Sequence, residues 1–262
     1  MDMEVITEKP RSVTHTTPIL FVHGMWHGAW CWAENFLPYF SRQGYQPYAF
    51  SLRGHGSSQG HRQLRWITLN DYVSDVALMV QQLETPPVLV GHSMGGMVVQ
   101  KYLESHQAPA GVLLASAPPK GLLPATLRIF SRHPWAVSKA VLSLSMYPVI
   151  STPELAQEAF FSADIPDTEL ETYIRQLQDE SFRAYLDMLG LNLPRPKRIR
   201  TPLLVLGAEN DRLISPKEVL ATGRAYGVKA EFFDNMGHDM MLEAGWQEVA
   251  NRILAWLNEQ GL

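Results

Sequence analysis

The chain is poor in cysteine: Cys31 is the only one among 262 residues. A single thiol excludes an intramolecular disulfide and leaves no basis for a cysteine-built metal site. Cys31 reads as a small buried hydrophobe rather than as a second nucleophile. No apolar run reaches the roughly 18 residues that would cross a bilayer, which argues against integral membrane association. Positive charge is not in excess either. The count of 22 Lys+Arg against 26 Asp+Glu gives a formal net charge of -4, so no global field favours nucleic acid or an anionic membrane. The one basic cluster, Arg195 to Arg200, is interleaved with Pro194 and Pro196 and reads as a solvated linker. Residues 1–11 are polar and lack the apolar core of a secretory leader, which makes a cytoplasmic enzyme the default expectation.

What is present is alternation. Short apolar runs at Thr17–Val22, Tyr45–Ser51, Val88–Val90, Gly111–Ala115, Pro202–Leu206 and Ala230–Phe233 read as strands. Longer amphipathic stretches separate them, at roughly Ala29–Gln43, Leu69–Leu83, the segment after Gly96, and Trp246–Leu257. Asn70 or Asp71 is a suitable cap for the second of these. The pattern is that of βαβ units around a mostly parallel sheet. Between Pro118 and Arg200 it changes: strand-like runs vanish, and prolines punctuate short helical pieces such as Pro134–Leu144, Pro153–Phe160 and Pro166–Gln178. Residues 1–117 and 201–262 are therefore expected to form one core, with 118–200 a helical insertion over it.

Gly91-His92-Ser93-Met94-Gly95 directly follows one strand and directly precedes a helix. Small residues two positions either side of a serine let the backbones pass on a tight strand-to-helix turn, which projects the hydroxyl from the sheet's C-terminal edge. A neutral serine needs a base. His238, in Asn235-Met236-Gly237-His238-Asp239, lies on the loop after the last strand and suits that role. Asp211, after the strand ending at Leu206, is the expected acid that orients it, with Glu209 as the competitor. The oxyanion of an acyl-transfer intermediate is expected on two backbone N–H groups, those of Met25 and Met94. Gly24 permits the loop geometry, and Gly24 and Trp26 are candidate substrate-contacting residues.

These pieces together resemble the α/β-hydrolase superfamily: His23-Gly24, Arg53-Gly54-His55-Gly56-Ser57-Ser58, Gly91 to Gly96, Gly207 to Pro216, and Gly237-His238. The resemblance covers almost the whole chain and points to the bacterial carboxylesterase or lysophospholipase-like branch. It implies a mainly parallel eight-stranded sheet flanked by helices and a helical cap where 118–200 falls. It also implies hydrolysis of a small-molecule ester with no cofactor. The stretch Trp26-His27-Gly28-Ala29-Trp30-Cys31-Trp32 is similar to the plant branch of hydroxynitrile lyases and methyl esterases. In the lyases a threonine holds the position of Gly24 and a lysine follows the catalytic histidine. Gly24 and Asp239 stand here, which favours hydrolysis. A ligand receptor of the same fold is a third reading, and cofactor-free haloperoxidase behaviour is a conceivable side activity.

Other residues invite a role without requiring one. His92 adjoins the serine on a tight turn and reads as packing or hydrogen bonding behind it. His55 reads as a tie within its loop. His23 and His27 have no carboxylate at ligand spacing, so no metal site is expected. Met188, Met236, Met240 and Met241 suit either a lipid-contacting wall or the core. The aromatics between Phe130 and Tyr185 suit the core, with some lining a cavity of apolar character.

Overall fold

The computed structural model describes residues 2–262. Seven strands form one sheet: β1 (Val5–Thr7), β2 (Ile19–Val22), β3 (Pro47–Phe50), β4 (Val88–His92), β5 (Gly111–Leu114), β6 (Leu203–Ala208) and β7 (Ala230–Phe233). Their spatial order is β1-β3-β2-β4-β5-β6-β7. Only β1 runs antiparallel to its neighbour; the other five pairings are parallel. The resemblance implies eight strands, and the sheet has seven among the described residues. Between β1 and β2 the chain carries Pro10, Pro18 and charged residues and runs irregularly, so no further edge strand forms there.

β2, β4, β5 and β6 are buried along their whole length, as expected of strands covered on both faces. Helices α1 (Trp30–Ala33), α2 (Phe36–Arg42), α3 (Leu69–Gln81) and α4 (Met94–Tyr102) fall within the first half of the chain. The stretch expected as one helix from Ala29 is thus two, parted at Glu34-Asn35. α3 starts at Leu69 as its spacing suggests, but its cap is Thr68 rather than Asn70 or Asp71, and Asp71 closes a capping box from the third position.

Between β5 and β6 the described chain has helices only: α5 (Leu123–Arg132), α6 (Pro134–Ser143), α7 (Pro153–Phe160), α8 (Asp167–Ile174) and α9 (Phe182–Leu186), with short 3-10 and π turns. Then α10 (Pro216–Tyr226) and α11 (Trp246–Glu259) complete the sheet's helical layers. The strand order reverses between β2 and β4, since β3 lies on one side of β2 and β4 on the other. In open parallel sheets the crevice beyond the carboxyl ends of such a strand pair is where ligands bind. His23-Gly24 leaves β2 there, and Ser93 leaves β4 beside it.

Candidate active site

Ser93 is held at φ 51 and ψ -118, a conformation that L residues rarely adopt and that costs about 1–3 kcal/mol. The cost is met by close packing. A Cβ on Gly91 would lie 2.5 Å from the Gly95 carbonyl oxygen, and one on Gly95 would overlap the carbonyl oxygens of Val22 and His23. Gly24 backs onto the serine from β2: a Cβ there would meet Ser93 Cβ and His92 Nδ1, each at 2.9 Å. Gly24 therefore supports the serine from beneath, and the cavity is lined by its neighbours Met25 and Trp26.

Asp211 and His238 meet as the sequence suggests. His238 Nδ1–H donates to Asp211 Oδ2 at 2.7 Å, while Asp211 Oδ1 accepts from the Leu213 and Ile214 N–H groups at 2.8 Å each. Two backbone donors thus fix the carboxylate before it fixes the ring. Glu209, the competitor, is exposed. His238 Nε2 is buried and has no partner among the described residues, which leaves a lone pair free on the ring's other edge. Burial opposes charging of His238, but the Asp211 charge, its hydrogen bond and the nearby Asp239 outweigh burial and raise its pKa above the ordinary imidazole value.

The other histidines resolve into different tasks. His92 Nε2–H donates to the His238 carbonyl at 3.0 Å and so ties the histidine loop to the serine turn. Burial and the nearby His238 push its pKa down to about 3, so it stays neutral. His23 Nδ1–H donates to the Gly24 carbonyl at 2.8 Å, and its Nε2 accepts the Leu52 N–H at 3.0 Å. Burial, with His55 next to it, holds His23 neutral by lowering its pKa well below the usual value. The Gly24 carbonyl and the Met25 N–H belong to one planar trans peptide and point in opposite directions. Pinning the carbonyl on His23 aims the Met25 N–H away from His23. Among the described residues neither the Met25 nor the Met94 N–H has a hydrogen-bond partner, and both residues flank Ser93 in space or in sequence.

His27, expected to lack a carboxylate, has one from far along the chain. Its Nε2 meets Asp239 Oδ2 at 2.8 Å, and its Nδ1 meets the Met25 carbonyl at 2.7 Å. Both ring nitrogens are thus spent on partners that accept, one from each of two loops. Burial penalises the Asp239 charge, yet His27 more than offsets this and lowers its pKa below the usual carboxylate value. The result is a buried His27–Asp239 contact joining the loop of Met25 to the loop of His238. His92, His238 and Asp239 lie close together, each with one hydrogen-bonded side-chain atom and one unpartnered among the described residues. His55 does tie its loop, through the Arg53 carbonyl, and also reaches Glu180 at 3.1 Å beyond β5.

Above Ser93 lies an apolar cavity that opens to solvent, with about 60 Å³ of room for the centre of a water-sized sphere. Met25 and Trp26 line its near side, and α5, α6 and α9 supply much of the rest, including Ile129, Val137, Phe182 and Tyr185. Trp26 Nε1–H donates to the Met146 carbonyl at 3.2 Å and ties the two sides together. Of the candidate aromatics only Phe182 and Tyr185 face the cavity; Phe160, Phe161 and Tyr173 are core, and Phe130, Trp135 and Tyr147 are exposed. The proposed methionine wall is absent from the cavity lining. Met188, Met236, Met240 and Met241 are buried in the core, while Met25 and Met146 line the cavity instead.

A family model described as "Alpha/beta hydrolase family" matches residues 19–252. The chain belongs to that family. Among curated relatives, Phospholipase YtpA of Bacillus subtilis (strain 168) is 24% identical over 222 residues, covering 77% of this chain and 78% of that protein. Among solved structures, BpoC of Mycobacterium tuberculosis H37Rv, described as a non-heme bromoperoxidase, superposes with a TM-score of 0.80 at 18% identity, covering 99% of this chain and 97% of that one. A monoacylglycerol lipase of Paleococcus ferrophilus gives 0.71 at 20% identity, covering 99% and 100%. At these identities the structural likeness establishes the alpha/beta hydrolase fold. Among the described residues no helix is long and apolar enough to cross a membrane.

Proposed function

We propose that this chain is a serine hydrolase that cleaves carboxylic esters of apolar acyl or aryl groups through an acyl-enzyme. One arrangement carries the reading: a strained Ser93 in the wall of an apolar cavity, with His238 held by Asp211 and its Nε2 unpartnered. In the proposed cycle Ser93 Oγ attacks the ester carbonyl as His238 Nε2 takes its proton. The Met25 and Met94 N–H groups hold the oxyanion. His238 then protonates the leaving alcohol. Water attacks the acyl-enzyme, gives its proton to His238, and the carboxylic acid leaves as Ser93 regains the proton. Each step uses only protein groups and water. Residues 118–200 act in this reading as the cap that selects the acyl or aryl group.

The names of esterase-type and lipase-type relatives support hydrolysis over the lyase alternative, and so does Asp239. A lyase needs a cation beside the catalytic histidine to hold cyanide, and here that position is an anion paired with His27. A fluorophosphonate probe should label Ser93 and inactivate the protein, and Ser93→Ala should lose both labelling and turnover of a nitrophenyl ester while keeping its fold. Labelling that persists in Ser93→Ala would refute the assignment. Cyanide release from mandelonitrile without ester turnover would favour the lyase, and a folded wild type that neither labels nor turns over would favour the receptor.

A further inference from the structure

More than half of the large hydrophobic side chains exposed by the described residues fall between Leu123 and Tyr147. On α5, Leu123, Leu127 and Phe130 recur at helical spacing on the outer face and are 46–59% exposed. On α6 the outer residues include Trp135 at 87% and Leu142 at 86%, with Lys139 between them on the same face. The inner residues of the same helices, such as Ile129 and Val137, line the cavity. Val141 belongs to both surfaces: it is 52% exposed and also lines the cavity. The patch therefore begins at the cavity's own wall.

Charge says what covers it. From Ser105 to Pro153 the sequence has no Asp or Glu, in a chain whose net charge is -4. The same stretch carries Lys120, Arg128, Arg132 and Lys139. Arg128 is paired with Glu218 and Arg132 with Glu158, while Lys120 and Lys139 have no acidic partner among the described residues. Glu158 itself also faces His133 and Arg212, and α5 and α6 themselves carry cations and no acidic residue. A second copy docked by a two-fold axis would set a face without acidic residues against another such face, leaving Lys139 unpaired. An anionic lipid surface offers what the patch lacks: negative headgroups for Lys139, an acyl layer for Leu127 and Leu142, and an interfacial zone for Trp135.

We propose that the outer face of α5 and α6 docks on an anionic lipid bilayer, so that an apolar substrate enters the cavity from the lipid layer. The docking stands by itself; the delivery of substrate to Ser93 rests on the hydrolytic reading above.

The test is flotation with mixed phosphatidylglycerol–phosphatidylcholine vesicles and with pure phosphatidylcholine vesicles. Wild type and Ser93→Ala should float equally with the mixed vesicles, far less with the neutral ones, and less as salt rises. The double variant Trp135→Ser/Leu142→Ser should bind at least about tenfold more weakly, through loss of buried apolar area. Lys139→Glu, which leaves the apolar residues in place, should weaken binding about fivefold or more. None of these three side chains lines the cavity, so each variant should hydrolyse a soluble short-chain nitrophenyl ester like wild type. Absent flotation, equal flotation with neutral vesicles, or unchanged binding of both variants would overturn the proposal. Self-association by light scattering that the double variant abolishes would assign the face to a second copy instead. Binding without any ester turnover would leave the docking intact and remove the hydrolytic reading.

Discussion

The two sides of the cavity are built differently. The sheet side is built of polar groups held by specific partners: Asp211 takes two backbone N–H groups and one imidazole, His23 spends both ring nitrogens, and His27 joins two loops. On the helical side the cavity wall is aliphatic and aromatic, and the Thr126–Tyr185 hydroxyl pair at 2.9 Å is a rare polar contact. Hydrogen bonds fix angles, whereas apolar contacts fix volume. The sheet side is thus suited to place reacting atoms, and the helical side to accept or refuse a shape. Substitutions on the first should slow every substrate alike, and those on the second should change the ranking of substrates.

Among changes that leave Ser93 in place, the largest effect is expected at Asp211. Asp211→Asn removes the charge that favours the His238 imidazolium and permits the wrong tautomer, so kcat/KM should fall about a thousandfold or more for short and long esters alike. The pH profile gives the sign. In the proposed cycle His238 acts as a base when neutral, and its pKa is raised above the ordinary value of about 6.5. The acid limb of kcat/KM in the wild type should therefore lie above that value, with activity lost as pH falls through it. In Asp211→Asn burial remains and the carboxylate's charge is gone, so the limb should move to lower pH. A limb that does not move would show that another group holds His238.

A smaller and more local effect is expected at His23. His23→Gln loosens the Gly24 carbonyl and lets the Met25 N–H swing, so kcat should fall about 10- to 100-fold with KM nearly unchanged, for all esters. Fluorophosphonate labelling should slow in step, since its intermediate needs the same donor. A change confined to KM would place His23 in substrate binding and blur the division between the two sides.

The strained turn at Ser93 and the contact between Asp211 and His238 were legible because their signals are local. A serine between two glycines at a strand end, an acid on one later loop and a histidine on the next are set by the order of strands and loops, and the parallel sheet gathers those loops at one edge. The tasks of the histidines were not legible. His27 takes its meaning from Asp239, 212 positions away, and His23 from which way one peptide plane faces. Periodicity marks a buried face but not what shares it, so the four methionines could not be told from cavity lining by sequence. The same limit hid the α5–α6 surface: Leu127 and Ile129 look alike in sequence, and only packing puts one in solvent and the other against the cavity. The fold class followed from alternation, while the strand count did not, because the edge of a sheet carries the weakest pattern.

The helical side offers the sharpest check on the comparison, through a change that touches no polar group. Val137 lines the cavity from α6 and has no hydrogen-bonding side chain to lose. Val137→Phe fills volume opposite Met25 and Trp26 while leaving His238, Asp211 and the Met25 peptide as they are. If volume alone governs that wall, kcat/KM for a long-chain nitrophenyl ester should fall about tenfold, the scale of crowding by a few methylenes. The acetyl ester, which leaves the outer cavity empty, should stay within about twofold of wild type. Equal losses on both esters would mean that α6 also positions the reacting atoms through Trp26, whose indole is tied to Met146. The helical side would then share in the chemistry, and the boundary between placing atoms and selecting shapes would have to be drawn inside the cavity wall.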